Sequence, residues 1–410
     1  MSKVLGIIAE YNPFHNGHLY HLIKAKQLTK SEFTVAVISG NFTQRGEPSL
    51  IDKWSKAESA ILGGVDLVIE LPVLYSISSA ENFAEGAIKL LDSFKVVDDI
   101  AFGAETADIT ILNKFAEVLY TEPKEYKTLL SHELGKGLSY PKARQNALMI
   151  YLNDIRKFVN VLSHPNNILG IEYLKALKKC KSNINPVVIK RTNTGYNDLK
   201  FSGNIASATA IRDLVANNNI KKLNTVMPIG SYSILTENIT HGHVVKNLSN
   251  FDKEIIYNLR RMSTDEIRNL PDVSEGLENA IKKAANSCNT VTEFINIVTS
   301  KRYTQTRIKR ILLYSLLQIS KKDIALSKKI TPYARVLGFN EKGKYLLSEI
   351  LRVNPKVPFI TSVKKFVDTT SNKNLLAMLQ NDIWATNVYT LAYDRDSWSN
   401  LDYTKKIVSI

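Results

Sequence analysis

Cysteine is nearly absent: Cys180 and Cys288 are the two cysteines in 410 residues, far apart and without a CxxC partner. That argues against a disulfide framework or a cysteine-based zinc site and suits a reducing compartment. No apolar run approaches the ~20 residues needed to span a bilayer. The apolar start, Met1 to Ile8, is too short for a secretory signal, and Glu10 follows at once. A soluble cytoplasmic protein with no membrane partner is therefore expected. Internal repeats and low-complexity tracts are also missing. Acidic residues are in deficit. Against 54 Lys+Arg stand 39 Asp+Glu, a formal net charge of +15. Such an excess favours a polyanionic partner, because each phosphate that is neutralised releases counterions.

What is present alternates. Lys3–Ala9, Phe33–Ser39, Val65–Leu71, a run beginning at Asp99–Phe102, and Pro186–Lys190 read as apolar strands. His18–Leu28, Lys53–Leu62 and Ala80–Leu91 read as helices between them. Continuous apolar strands alternating with helices predict a parallel sheet covered on both faces, an α/β Rossmann-like architecture. Tyr120–Lys157 reads as a polar helical insertion into it. Beyond the polar stretch Asn217–Leu223, long Lys- and Arg-bearing helical runs take over (Phe251–Met262, Glu275–Ala285, Thr304–Ile319). Two domains are expected, with a boundary within 216–226. Residues 1–220 would form the α/β domain, with its insertion near 120–157, and 221–410 a basic, mainly α-helical domain.

The loop after the first strand concentrates the chemistry. His15 and His18 flank Asn16-Gly17 where a strand should end and a helix begin. In an open parallel sheet, ligands bind beyond the carboxyl ends of the strands. A helix start there offers free N–H groups and a positive dipole end, which suit phosphate. Gly17 would let phosphate approach the backbone. Two imidazoles could donate to a phosphoryl group as its charge grows. His21, one turn on, and Glu10 leave a metal site as a second reading, ranked lower because a positive helix start suits an anion.

This stretch resembles the (H/T)xGH signature of the nucleotidyltransferase superfamily. Longer blocks resemble the bacterial tRNA(Met) cytidine acetate ligase family. These are Gly40-Asn41-Phe42-Thr43-Gln44-Arg45-Gly46-Glu47-Pro48, Asp52-Lys53-Trp54, and Gly63-Gly64-Val65-Asp66-Leu67-Val68-Ile69-Glu70-Leu71-Pro72. Phe102-Gly103-Ala104-Glu105, Pro165-Asn166-Asn167-Ile168-Leu169-Gly170, Lys190-Arg191 and Lys301-Arg302-Tyr303-Thr304-Gln305-Thr306-Arg307-Ile308 extend the likeness over most of the chain.

The resemblance implies a nucleotidyltransferase fold and a two-step reaction. Acetate and ATP form acetyl-adenylate and pyrophosphate. The acetyl group then passes to N4 of the wobble cytidine of elongator tRNA(Met), giving N4-acetylcytidine. ATP would lie on Ile7-Ile8-Ala9-Glu10-Tyr11-Asn12-Pro13-Phe14-His15-Asn16-Gly17-His18-Leu19-Tyr20, with Gly103, Asn166 or Asn167, and Arg191. His15 and His18 would be catalytic. Mg²⁺ would bridge the phosphates, with no metal ligand from the protein.

Superfamily members also carry a late phosphate-binding motif of the type ISSTxIR or KMSKS. Ser207-Ala208-Thr209-Ala210-Ile211-Arg212 occupies the equivalent place and retains an arginine, Arg212. Ser207 has the alternative role of a helix cap. Asn41, Gln44 and Arg45 follow the second strand and are candidates for the acetate or cytidine pocket. Arg302, Tyr303, Arg307 and Arg310 are candidates for tRNA contact, since arginine forks phosphates and tyrosine stacks on bases. Two other readings exist: a cofactor adenylyltransferase, and a non-catalytic RNA-binding protein on the same fold.

Overall fold

The computed structural model describes residues 2–153, 161–191, 205–274 and 276–410. Eight strands form one sheet: β1 (Val4–Ala9), β2 (Phe33–Ser39), β3 (Leu67–Leu71), β4 (Asp99–Ala104), β5 (Asn185–Lys190), β6 (Ala334–Phe339), β7 (Phe359–Ile360) and β8 (Val408–Ser409). The order is β5-β4-β1-β2-β3-β6-β7, with β8 also on β6. β3 and β6 run antiparallel, and every other pair is parallel.

The unbroken apolar strands have the expected cause. On β2, Val35 and Val37 enter one core cluster while Ala36 and Ile38 enter a second on the opposite face. Both faces are therefore buried, and no polar residue needs to alternate. Helices α1 (Asn16–Thr29) and α2 (Lys53–Leu62) lie on the face that holds Ala36 and Ile38. Helices α3 (Ala80–Ser93) and α4 (Pro165–Cys180) lie on the other. The region expected to be a helical insertion supplies Lys124–Gly135 and Tyr140–Tyr151 after the last residues of helix Ile109–Thr121, and residues 154–157 of it lie outside the described residues.

The second half is mainly helical, yet the sheet does not stop at residue 220. Residues 334–409 add β6, β7 and β8 to it. The expected boundary within 216–226 also fails to interrupt the core, because one buried cluster contains Val37, Phe42, Leu312 and Leu379. β6 escapes a reading for apolar runs because Arg335 sits inside it. That arginine is 4% exposed and faces Glu70 across the β3–β6 pair. No helix among the described residues is long and apolar enough to cross a membrane.

Candidate active site

β1 is followed by its neighbour β2, whereas β4 lies on the other side of β1. The chain thus changes direction between β1 and β4, and loops from both open a crevice at their carboxyl ends. The loop after β1 carries His15 and His18. Helix α1 begins at Asn16, with His15 as its N-cap. The His15 Nδ1 accepts from the Gly17 N–H at 3.0 Å, and the His15 N–H donates to the His18 Nδ1 at 3.4 Å. Two imidazoles thus build a reciprocal capping box. Their rings stack with centroids 3.8 Å apart.

Gly17 is required here for space. A Cβ at this position would sit 2.8 Å from the His15 Cε1. Tyr11 takes a left-handed backbone (φ 45°). Such a conformation costs about 1–3 kcal/mol and persists where packing fixes it. Here the ring packs edge-on against Phe14 and His18 at 4.8 and 4.9 Å.

Because each Nδ1 accepts a hydrogen bond, the neutral ring carries its proton on Nε2. Electrostatics keeps the rings neutral. Burial first, then Arg191 and Arg212, lowers the His15 pKa to about 3. Burial, His15, Arg191 and His21 hold His18 well below the usual imidazole range, opposed by the Pro13 carbonyl. Burial and Arg191 lower His21 to about 4. The unfolded chain therefore binds more protons than the folded chain between pH 6.5 and about 3. Stability is expected to fall as the pH drops through that window, by up to about 1.4 kcal/mol per pH unit for each histidine. Urea denaturation from pH 7 to 4 checks this, and His21→Gln should flatten the curve.

Arg191 and Arg212 reach these rings from separate elements. Arg191 follows β5, and its Cγ would stand 3.1 Å from a Cβ on Gly103. Gly103 thus makes room for the Arg191 stem. Arg212 comes from α5 (Ala208–Ala216), capped by Ser207, whose side chain accepts from the Ala210 N–H. Ser207 therefore takes the helix-cap role. The Arg212 Nη1 donates to the Asn12 carbonyl at 3.0 Å, and Nη2 to the Thr209 Oγ1 at 3.2 Å. Asn16 ties the loop to Thr225 through its Nδ2.

The two asparagines separate. Asn167 is fully buried and spends its side chain on the Thr106 N–H, the Thr106 hydroxyl and the Val161 carbonyl. Asn166 is half-buried and donates to Glu105 after β4. Asn167 is thus a structural tie, whereas Asn166 makes its side-chain bond to Glu105 alone among the described residues.

Two other groups of candidates already make bonds within the fold. Asn41 is 4% exposed, accepts from the Lys53 N–H at 2.9 Å and donates to Thr386 at 3.3 Å. Its amide is already committed to fixing α2, so it is not a free pocket group. Arg307 donates to the Asp272 carbonyl and the Ser274 hydroxyl. Arg310 pairs with the Asp272 carboxylate at 2.8 Å. Both arginines bond to the same turn, Arg307 through the Asp272 backbone carbonyl and the Ser274 hydroxyl and Arg310 through the Asp272 carboxylate. Arg302 is exposed, and the half-buried Tyr303 ring lies 5.2 Å under the Arg307 guanidinium.

The loop after β2 and the helical half enclose a cleft of about 320 Å³ beside the β1 loop. Glu10, Asn12, Arg45 and Arg212 meet Lys246, Gln305 and Lys309 there. Gly46 (φ 76°) lies against helix α6 (Gln305–Leu317), where a Cβ would stand 2.6 Å from the Lys309 Cβ. Lys309 pairs with Glu47. Arg45 is exposed and makes no hydrogen bond or ion pair to any described residue, whereas the Gln44 N–H donates to the Glu10 Oε1 at 3.0 Å. Lys246 was missed in sequence, and so was the placement of Gln305 and Lys309 in this cleft. The Lys301–Ile308 block contains Gln305, but nothing local places it beside β1. Among the described residues no group of three His, Cys, Asp or Glu side chains could hold a metal ion.

Comparison with known proteins agrees with this geometry. The family model described as HIGH Nucleotidyl Transferase matches residues 2–403. A tRNA(Met) cytidine acetate ligase of Caldanaerobacter subterraneus subsp. tengcongensis is 48% identical over 410 residues, covering 100% of both chains. One from Acetivibrio thermocellus is 42% identical over 414 residues, covering 99% of each. The crystal structure of Thermotoga maritima TmcAL bound with alpha-thio ATP superposes with a TM-score of 0.93 at 36% identity, covering 100% of this chain and 99% of that one. The chain therefore belongs to the tRNA(Met) cytidine acetate ligase family of HIGH nucleotidyltransferases.

Proposed function

We propose that this chain activates acetate with ATP and transfers the acetyl group to N4 of the wobble cytidine of elongator tRNA(Met), releasing pyrophosphate and AMP. The observation that carries this reading is the convergence of His15, His18, Arg191 and Arg212, from three separate segments, at the carboxyl ends of β1 and β5. An acetate oxygen attacks the α-phosphorus in line. The Nε2–H groups of His15 and His18 and the two guanidiniums stabilise the charge that develops. ATP lies along the Ile7–Tyr20 stretch, with Gly103, Asn166, Arg191 and Arg212 around it. Mg²⁺ would arrive with the nucleotide and would neutralise phosphate charge beside Arg191 and Arg212, and no carboxylate cage among the described residues is needed for it. The +15 charge supports a polyanionic acceptor.

Exchange of labelled pyrophosphate into ATP tests the first step. It should require acetate and Mg²⁺, and exchange without acetate, or none at all from folded protein, would contradict the reading. Arg45 has no structural bond to lose. Arg45→Ala is expected to leave the melting temperature unchanged and to lower tRNA acetylation by about tenfold or more, the worth of one charge-assisted hydrogen bond. Acetylation at the wild-type rate would remove Arg45 from the acetate and cytidine pocket.

A further inference from the structure

We propose that Glu10 is the base that takes the proton from the cytidine N4 amine during acetyl transfer. The inference rests on the function proposed above. Glu10 stands immediately after β1, in the crevice between the histidine loop and the helical half. Arg45, Arg212, Lys246 and Lys309 stand on the walls of the same cleft, with Glu47 and Asp213 as its other carboxylates. A carboxylate there repels phosphate, so the Glu10 side chain, unlike the backbone of the Ile7–Tyr20 stretch, has no use in holding the triphosphate. It is instead the side-chain type that accepts from the cytosine N4 amino group. One oxygen, Oε1, is fixed by the Gln44 N–H at 3.0 Å. The other, Oε2, makes no hydrogen bond to any described residue and is not sealed from solvent.

The cleft has the size for the task. Its volume of about 320 Å³ suits one nucleotide unit and excludes a stem. A wobble base that leaves its stack can enter it. The remaining groups near Glu10 are unsuited to act as base. His15 and His18 each use Nδ1 to cap α1. The Lys56 ammonium is buried on the Ser39 and Gly40 carbonyls and the Ser49 hydroxyl. Glu47 holds Lys309 with one oxygen and the Leu248 N–H with the other. Asp213 is exposed at the rim.

The step balances. The N4 lone pair attacks the acetyl carbonyl carbon of the adenylate. The bond from that carbon to the AMP phosphate oxygen breaks, and the electron pair leaves with AMP. The N4 proton passes to the Glu10 Oε2.

Glu10→Gln keeps an oxygen for the Gln44 N–H and removes the base. Two rates are compared in this variant. Acetate-dependent ATP–pyrophosphate exchange, measured at saturating ATP because Glu10 lies within the ATP stretch, should fall at least about tenfold less than transfer does. Single-turnover transfer of labelled acetate to tRNA, from enzyme preloaded with ATP, should fall by about 100-fold or more. Glu10→Asp keeps a carboxylate and should recover transfer to at least about tenfold above the glutamine variant. Transfer near the wild-type rate in Glu10→Gln overturns the proposal. An equal fall in both rates also overturns it, because Glu10 would then serve adenylate formation. A wild-type protein that exchanges but never transfers overturns the acceptor in the proposed function, and this inference falls with it.

Discussion

Replacing His18 with alanine is expected to lower acetate-dependent ATP–pyrophosphate exchange by about 10²–10³-fold, the usual cost of removing one donor aimed at developing charge. The loss should fall on kcat more than on KM, because the imidazole bonds more strongly to the α-phosphoryl group in the transition state than in bound ATP. Stability should change little. The His18 Nδ1 accepts one backbone N–H at 3.4 Å, a weak cap. Losing such a cap costs about 1 kcal/mol. His15→Ala removes a stronger cap at 3.0 Å and vacates the space above Gly17, so it should cost more stability. Rate and melting temperature measured together separate the two effects. A His18→Ala protein that exchanges at the wild-type rate would place the chemistry elsewhere. Because His15 is neutral above about pH 3, neither ring should impose a pH dependence on exchange between pH 6 and 8.

The second large effect lies away from the site. Asp402→Ala is expected to destabilise the fold by about 3–5 kcal/mol, the cost of leaving a buried charge without its partner. Asp402 sits between Lys53, at 2.7 Å, and Arg335. The side chains of Lys53 and Arg335 are 1% and 5% exposed, so water cannot replace the lost carboxylate. Glu70 would then face both cations alone. Burial opposes ionisation of Asp402, but Arg335 and Lys53 outweigh it and lower its pKa to about 2. The contribution of Asp402 is therefore complete above its unfolded value of 3.8 and is lost as the pH falls through about 2. The cluster joins α2, β3, β6 and the short helix Leu401–Thr404, so its loss should loosen the antiparallel seam between the two halves of the sheet. Guanidinium denaturation at pH 7 gives the number. A change below about 1 kcal/mol would mean the charges are solvated or repaired by movement.

The same cluster explains what the sequence showed and what it hid. β1 to β4 were legible because both faces of each are buried and the apolar runs mark that directly, and the half-buried edge strand β5 was legible from its run Val187-Val188-Ile189. β6 was not, because the charge on Arg335 is cancelled by Glu70 and Asp402, 265 and 67 residues away by the numbering. Local pattern carries no trace of such a pairing. The histidine loop was legible because cap, glycine and strand end are contiguous. The roles within it were less so: that both rings cap α1 through Nδ1, which assigns the proton to Nε2, follows only from the folded geometry.

Side-chain commitments also decide between look-alikes. Asn166 and Asn167 are indistinguishable as letters, and burial alone assigns Asn167 to Thr106. Arg307 and Arg310 resemble a nucleic-acid-binding face until Asp272 is seen to occupy both. Net charge survives as an argument for a polyanion, but its location does not follow from a run of basic residues. The cleft beside Glu10 is the extreme case. Its walls come from residues near 10, 45, 212, 246 and 309, and only the fold brings them together.

The most direct test is to incubate the purified chain with ATP, Mg²⁺, radiolabelled acetate and unmodified elongator tRNA(Met), and to count label in precipitated RNA. The account predicts label that requires ATP, resides in N4-acetylcytidine at the wobble position, and is lost with His18→Ala. Folded, ATP-binding protein that leaves the tRNA unlabelled, or labels it without ATP, would contradict it.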